Sequence, residues 1–151
     1  MSLTVFILFL LWISFCAAKV EVSIEGAHGW AKDLPTWRLP PTSWVSRFFF
    51  SDKPATGYHI WLEVLAISAF HLPYVFVNPS WMLESQIWSF FFFFCVVEDF
   101  LWFAVNPAFG IKNFRPEKIW WHQKHWWWIA PRDYYVLLAI AVFLYWLSFH
   151  F

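Results

Sequence analysis

Charged residues are scarce in this chain. Only 13% of its 151 residues are charged and 61% are hydrophobic, whereas a typical soluble domain has about 25% charged residues. A short chain with so few charges cannot cover its whole surface with solvated side chains. The composition therefore excludes an ordinary soluble domain and predicts an integral membrane protein.

Cysteine is scarce as well, and the chain has no excess of positive charge. Cys16 and Cys95, the two cysteines, lie in apolar runs, which argues against a disulfide framework. Ten basic residues balance ten acidic ones, so no basic surface for nucleic acid is indicated. The partners that remain are the lipid bilayer, a lipophilic ligand and the subunits of a larger membrane complex.

Four apolar runs have about the length of membrane-spanning helices, which need roughly 20 residues. They cover residues 3–18, 58–77, 82–105 and 134–149. Asn-Pro follows the second and third runs, and proline cannot continue a helix. The sequence thus predicts one domain, 1–151, folded as an all-α integral membrane bundle of four transmembrane helices.

The basic residues predict the orientation of this bundle. All ten lie in the segments 19–56 and 106–132, which the positive-inside rule places in the cytoplasm. Both termini are then non-cytoplasmic. In the alternative, residues 3–18 form a cleaved signal peptide and three spans remain, but no basic residue precedes that run, which favours a retained helix.

The segments 19–56 and 106–132 are expected to be two ordered, aromatic-rich cytoplasmic loops. In the first, alternating apolar residues over 20–25 favour a short strand, and the aromatic residues of 43–50 favour one helical turn at the membrane interface. In the second, a proline at position 116 favours a helix that continues to about residue 129.

The stretch WWHQKHWWW, residues 120–128, has five tryptophans and two histidines in nine positions. Tryptophan prefers the headgroup level of a membrane, so the tryptophans predict an interfacial anchor. His122 and His125 are three apart and would share one face of a helix. We expect at least one of them to lie within hydrogen-bond reach of an acid in the spans or of His59.

Acidic residues inside the apolar runs are the main functional signal. Glu63 and Glu98 lie roughly 10 Å inside the predicted span ends at 1.5 Å per residue, and Asp99 follows Glu98. An acid near a span centre costs roughly 2.5–3.5 kcal/mol. With His59, His122 and His125 these acids are predicted to form one layer on the cytoplasmic side.

Two kinds of chemistry suit this layer, and a third interpretation is structural. Glu63, Glu98 and Asp99 are candidate catalytic acid–base groups, because buried carboxyl groups can hold protons. Imidazole and carboxylate ligands also suit a divalent transition metal. The candidate metal ligands are His59, Glu63, Glu98, His122 and His125. In the structural interpretation the acids pair with basic residues of the loops: Arg115, Lys118 and Arg132.

Two short motifs resemble known enzymes that protonate apolar substrates. HIWLE, 59–63, resembles the His-x-x-x-Glu motif of the sterol isomerase family, and VVEDFLWF, 96–103, is similar to the acidic-aromatic motif of small membrane lycopene cyclases. Each resemblance covers fewer than ten residues. It implies an intramembrane acid acting on an alkene or polyene.

Two functions follow from the sequence. Its 26% aromatic content favours a non-enzymatic membrane component, either a complex subunit or a binder of lipid, pigment or another apolar ligand, since aromatic side chains offer large rigid contact surfaces. The alternative is an intramembrane enzyme that acts on a lipophilic substrate through the cytoplasmic-side histidines and acids.

Overall fold

The computed structural model describes residues 3–150, and 64% of its residues are helical. Five α-helices follow one another along the chain: α1 (Leu3–Glu25), α2 (Trp44–Phe49), α3 (Gly57–Phe70), α4 (Trp81–Val105) and α5 (Arg132–Leu147). Short 3₁₀ turns lie at Leu72–Val75, Ile111–Asn113 and Gln123–His125. The strands Trp126–Trp127 and Ala130–Pro131 form a minimal antiparallel hairpin, β1 and β2.

Helix α4 is the centre of the fold. It packs along both α1 and α5, whereas α3 touches it only slightly. The Ser89 hydroxyl donates to the Ala141 carbonyl at 2.8 Å and holds α4 close to α5. Because α3 has few packing partners, a groove remains between α3 and α1.

The core has two parts. Phe6, Leu10 and Phe90 form an apolar cluster between α1 and α4. A second cluster lies where the two long loops meet the helices, and we call this side the loop end of the bundle. Its buried members are Ala18, Trp30, Trp102, Phe103, Ile119 and Trp121. The opposite side, at the turn 71–80, is the far end.

Two helices, α1 and α4, are long and apolar enough to cross a membrane by their length and composition. Helix α3 is also apolar but has only 14 residues, or about 21 Å. It stops short of the predicted end at residue 77 because Pro73 follows, and a 3₁₀ turn, Leu72–Val75, extends it. The predicted strand at 20–25 is wrong, since α1 continues to Glu25.

Packing explains why α1 is longer than expected. Ala18 is fully buried in the loop-end cluster and Val22 packs against it, so helix is retained although β-branched residues alternate through this stretch. The helix ends where Gly26 takes a positive φ of 69° and its N–H bonds the Val22 carbonyl at 3.0 Å. A left-handed glycine is a usual helix terminator.

The predicted helix over 116–129 is also wrong. Turns, the 3₁₀ turn Gln123–His125 and the hairpin replace it. Trp121 and His122 enter the core, only 7% and 3% exposed, while Trp128 is 89% exposed with φ at +48°. A helix cannot satisfy those placements, so the demand for burial outweighs helix propensity here.

The predicted helical turn at 43–50 is present as α2. Ser43 caps it, accepting from the Ser46 N–H at 3.1 Å. Its aromatic side chains, Trp44, Phe48 and Phe49, project outward and are 70–85% exposed.

Candidate functional site

Partly buried acids from three helices meet at the loop end of the bundle. Glu21 lies near the end of α1, Glu63 lies on α3, and Glu98 and Asp99 lie on α4. Glu21 and Glu25 are four residues apart and therefore share one face of α1. That face is turned toward α3 and α4, so the acids of three helices interact electrostatically.

Glu21, Glu25 and His59 form the tightest group. One ligand atom from each lies within 4.8 Å of the other two. The His59 Nε2 is 3.3 Å from the Glu25 Oε1, and Glu25 also accepts from the Ala31 N–H. Glu25 is 7% exposed and His59 9%, so solvent screens this group little.

The orientation of the His59 ring is fixed on two sides. Its Nδ1 lies 2.7 Å from the Thr56 Oγ1, and the Trp30 ring stacks on it with centroids 4.2 Å apart. Thr56 is also the N-cap of α3 and accepts from the His59 N–H. The start of α3 therefore directs Nε2 at the carboxylates.

Glu98 joins this group through Glu21. The two carboxyl groups interact electrostatically. The Glu98 Oε1 is buried without a hydrogen-bond partner among the described residues, and so is the Tyr58 hydroxyl, which faces Glu21. Buried polar atoms without partners are uncommon and point to a missing ligand or water.

Asp99 belongs to an adjacent group with His122 and Tyr134. The Tyr134 hydroxyl donates to its carboxylate, and the His122 Nε2 lies 3.4 Å from its Oδ2. The sequence predicted that at least one of the two loop histidines lies within hydrogen-bond reach of an acid or of His59; His122 lies within that distance of Asp99, but its Nε2 forms no hydrogen bond with the described residues. Burial lowers the pKa of His122, and Lys53 lowers it further, against the opposing effect of Asp99.

Lys53 is the basic side chain beside these acids. Its Nζ lies 3.9 Å from the Asp133 Oδ2 and 4.5 Å above the Trp30 ring. It also interacts with Asp99 and Glu63. Burial lowers the pKa of the Lys53 ammonium, while Asp99 has the opposite effect. One ammonium group is thus placed among several carboxyl groups.

The structural interpretation of the acids named the wrong bases. Arg132 pairs with Asp133, its chain neighbour, at 3.4 Å. Between residues 3 and 150, no ion pair joins Arg115 or Lys118 to Glu63, Glu98 or Asp99. These loop residues are held outward, because the turns at 106–119 bury their apolar neighbours instead.

The structure brings together only some of the predicted metal ligands. His59 joins the Glu21 group, Glu98 adjoins it, and His122 contacts Asp99. His125 instead faces Asp52, 3.1 Å from its Oδ2, at the rim of the loops. This separation follows from the loop, since residues 122 and 125 do not share a helical face when the helix is absent.

Glu21, Glu25 and Lys53 are site residues that sequence reasoning missed. Interpreting 20–25 as a strand placed both glutamates on a solvent face. Their spacing of four, followed by Gly26, is the signal that could have identified a helix end with two acids on one side. Lys53 gives no such signal, since it lies in an irregular loop.

An apolar groove runs along α1 and α3. It has two adjoining sections of ≈ 680 and ≈ 380 Å³, and Phe9, Ala69 and Phe70 line both. The larger section lies at the far end and the smaller one continues between α1 and α3 toward the loop end.

Each helix around the groove contributes a stripe of residues about one turn apart. On α1 the stripe is Phe9, Ile13 and Ala17; on α3 it is Ala69, Ala66 and Leu62; on α4 it is Phe90 and Phe94. One further step of four residues along each helix reaches Glu21, Tyr58 and Glu98. These three side chains lie one helical step beyond the lining of the groove and interact with each other.

No family model matches the chain, and no curated protein or solved structure is significantly similar to it.

Proposed function

We propose that the chain is a multi-pass membrane protein in which α1, α3, α4 and α5 all cross the bilayer. Exposed apolar side chains along these helices support this, among them Leu8 on α1, Leu65 on α3 and Val142 on α5. Helix α3 and its 3₁₀ extension together measure about 29 Å, close to the thickness of the hydrocarbon core. Both termini are then on the non-cytoplasmic side, because the basic residues cluster at the loop end.

The topology is tested by epitope tags at each terminus and within 106–119, followed by protease treatment of sealed vesicles. The proposal expects both terminal tags on one side and the internal tag on the other. A cytoplasmic C-terminal tag contradicts it.

We propose further that the protein binds one lipophilic molecule in the groove, with the polar end of that molecule at Glu21, Glu98 and Tyr58. The observation that carries this proposal is the alignment of three apolar stripes that each end in one of those polar residues. The volume of the groove is in the range of sites for small molecules. The bilayer can supply such a ligand directly, because the groove is open along one side between α1 and α3.

The chemistry of the walls indicates the class of ligand. Aromatic rings line much of the groove, including Phe9, Phe70 and Phe90, and such rings pack well against flat or unsaturated molecules. At the inner end, carboxyl and phenol groups form hydrogen bonds with hydroxyl or carbonyl groups. The occupant we propose is a neutral, rigid or unsaturated lipid with a hydroxyl or carbonyl group at one end, such as a sterol-like or polyene alcohol.

The test compares groove-filling variants with a matched control. Ala17→Phe and Ala66→Phe place a ring in the groove, while Val142→Phe places the same ring on the exposed face of α5. We expect the purified wild type and Val142→Phe to retain one such lipid per chain by native mass spectrometry and to be labelled by a photoreactive long-chain alcohol. The groove variants lose both signals. Equal labelling of all four proteins, or recovery of bulk phospholipid only, contradicts the proposal.

The unpartnered oxygen of Glu98 favours a second function, an intramembrane enzyme that acts on the bound lipid. The Glu98 Oε1 has no hydrogen-bond partner among the described residues, and in the proposed arrangement it lies beside the polar end of the ligand, within reach to act as a general acid or base. Glu98→Gln keeps the shape and tests this. Loss of a lipid product with unchanged ligand retention supports an enzyme, and an unchanged lipid profile supports binding alone.

A further inference from the structure

We infer that Glu21, Glu25 and His59 bind one divalent transition-metal ion at the loop end of the bundle. This ligand set differs from the one that the sequence predicted, since two of its members were placed there by an unexpected stretch of helix. The inference does not depend on whether the groove holds a lipid.

The geometry is close to that of a formed site. The three ligand atoms lie within 4.8 Å of one another. Zinc binds imidazole nitrogen and carboxylate oxygen at about 2.0–2.2 Å in a tetrahedron, so neighbouring ligand atoms are about 3.4 Å apart. Side-chain movements of under about 1 Å therefore close the site, without any movement of the helices.

The contacts that would orient His59 as a metal ligand are already present. A metal-bound histidine usually holds its other ring nitrogen in a hydrogen bond, which fixes the tautomer and the direction of the ring. Here Thr56 bonds Nδ1 at 2.7 Å and Trp30 stacks on the ring. The free nitrogen, Nε2, is the one that faces Glu25 at 3.3 Å.

A cation at this point also compensates for the surrounding charge. Glu98 interacts electrostatically with Glu21, and its Oε1 is buried with no hydrogen-bond partner between residues 3 and 150. Glu63 and Asp99 act on the same groups. A single lysine, Lys53, cannot balance so many carboxyl groups, and uncompensated buried charge is costly.

The donor set indicates the class of metal. Mg²⁺ and Ca²⁺ prefer oxygen ligands alone, whereas a mixed imidazole and carboxylate set suits zinc, iron or manganese. Cys16 and Cys95 are not in the group, so a thiolate-dependent site is not involved.

Zinc binding to the full-length protein in detergent micelles tests the inference. The protein is stripped with a chelator, dialysed against Zn²⁺ and analysed for metal content. We expect one Zn²⁺ per chain, and at least about tenfold weaker binding in Glu21→Gln and in His59→Gln. The matched controls are His71→Gln and Glu84→Gln, which alter the other histidine–glutamate contact, 3.4 Å apart at the far end. They should bind as the wild type does.

A measurement on the wild type covers the case in which a variant fails to fold. X-ray absorption at the zinc edge of the loaded wild type should show nitrogen and oxygen ligands at about 2.0–2.2 Å and no sulfur shell at about 2.3 Å. Four results overturn the inference: a sulfur shell, no stoichiometric Zn²⁺ on the wild type, wild-type affinity in both site variants, or loss of binding in the far-end controls. Ala66→Phe should keep its Zn²⁺ while losing the lipid, which separates this inference from the proposed function.

Discussion

Replacing Lys53 by methionine should be among the most destabilising single changes in this protein. The side chain is only 12% exposed, and its ammonium lies 3.9 Å from Asp133 and 4.5 Å above the ring of Trp30. It also faces Asp99 and Glu63. Methionine keeps the length of the apolar stem and removes the positive charge, so the variant measures the electrostatic contribution of this one group.

The size of this effect depends on the acidic charge that stays buried when the Lys53 ammonium is removed. Breaking a buried ion pair by removing one partner costs about 3–5 kcal/mol, because the other charge stays buried and uncompensated. The contact with the indole, about 0.5–2 kcal/mol in general, is part of the same loss. We expect Lys53→Met to lower the free energy of unfolding by about 3–5 kcal/mol.

Reversible unfolding in mixed micelles, followed by tryptophan fluorescence, provides the assay. In an Asp99→Asn background the cost of Lys53→Met should shrink, with a coupling energy of about 0.5–3 kcal/mol. Lys118→Met is the matched control, since Lys118 is exposed, and should change stability by less than about 0.5 kcal/mol. A Lys53→Met cost as small as that of the control, or one that Asp99→Asn does not alter, refutes the reasoning.

Two further predictions concern the loop end. Gly29 has a φ of +64°, and a Cβ added there would meet the Trp121 ring at 2.5 Å, so Gly29→Ala should cost about 1–3 kcal/mol beyond the strain of a left-handed residue. Gly26→Ala, with a φ of +69° and open space around it, should show only that strain, about 1–2 kcal/mol. If thermal unfolding shows the same loss of stability for Gly29→Ala and Gly26→Ala, the packing argument is wrong. Because burial and Lys53 lower the pKa of His122 in the folded state, the unfolded chain binds that proton more tightly. The contribution of His122 to the free energy of unfolding is therefore fully present at a pH above about 6.5, the pKa of histidine in the unfolded chain. It falls as the pH drops below that value. His122→Gln should flatten that fall between pH 7 and 5, and an unchanged slope would be the contrary result.

The sequence was informative about helices and less so about how they end. Length and apolarity predicted the helical segments, and the Asn-Pro at 106–107 marks the end of α4 correctly. The ends of α1 and α3 differ from the prediction because tertiary packing extended one helix and a proline shortened the other. Whether all four helices cross the membrane stays a prediction.

The sequence predicted at which end of the helices the candidate site lies, but not which residues form it. Depth along α3 and α4 could be counted from the sequence, which placed His59, Glu98 and Asp99 at one end of these helices. Which of them face each other depends on how each helix is rotated about its axis. That rotation is set by contacts between helices, such as Ser89 on Ala141.

The fold divides the stretch WWHQKHWWW between the core and the surface. Its composition indicated an anchor with two histidines turned inward, because tryptophan and histidine each have one apolar and one polar side. The fold buries Trp121 and His122 together and leaves Trp127 and Trp128 exposed. It turns His125 away, because the segment forms turns and a hairpin.

The sequence by itself determined the apolar helices, their order and the loop end where basic and acidic residues gather. These properties depend on local composition, which is the same wherever the helix packs. The tertiary structure alone decided that Glu21 and Glu25 face His59, that Lys53 is the cation among the acids, and that three apolar stripes meet as a groove. Those are contacts between segments far apart in the chain, and they exist only when the packing of one helix sets the direction of another.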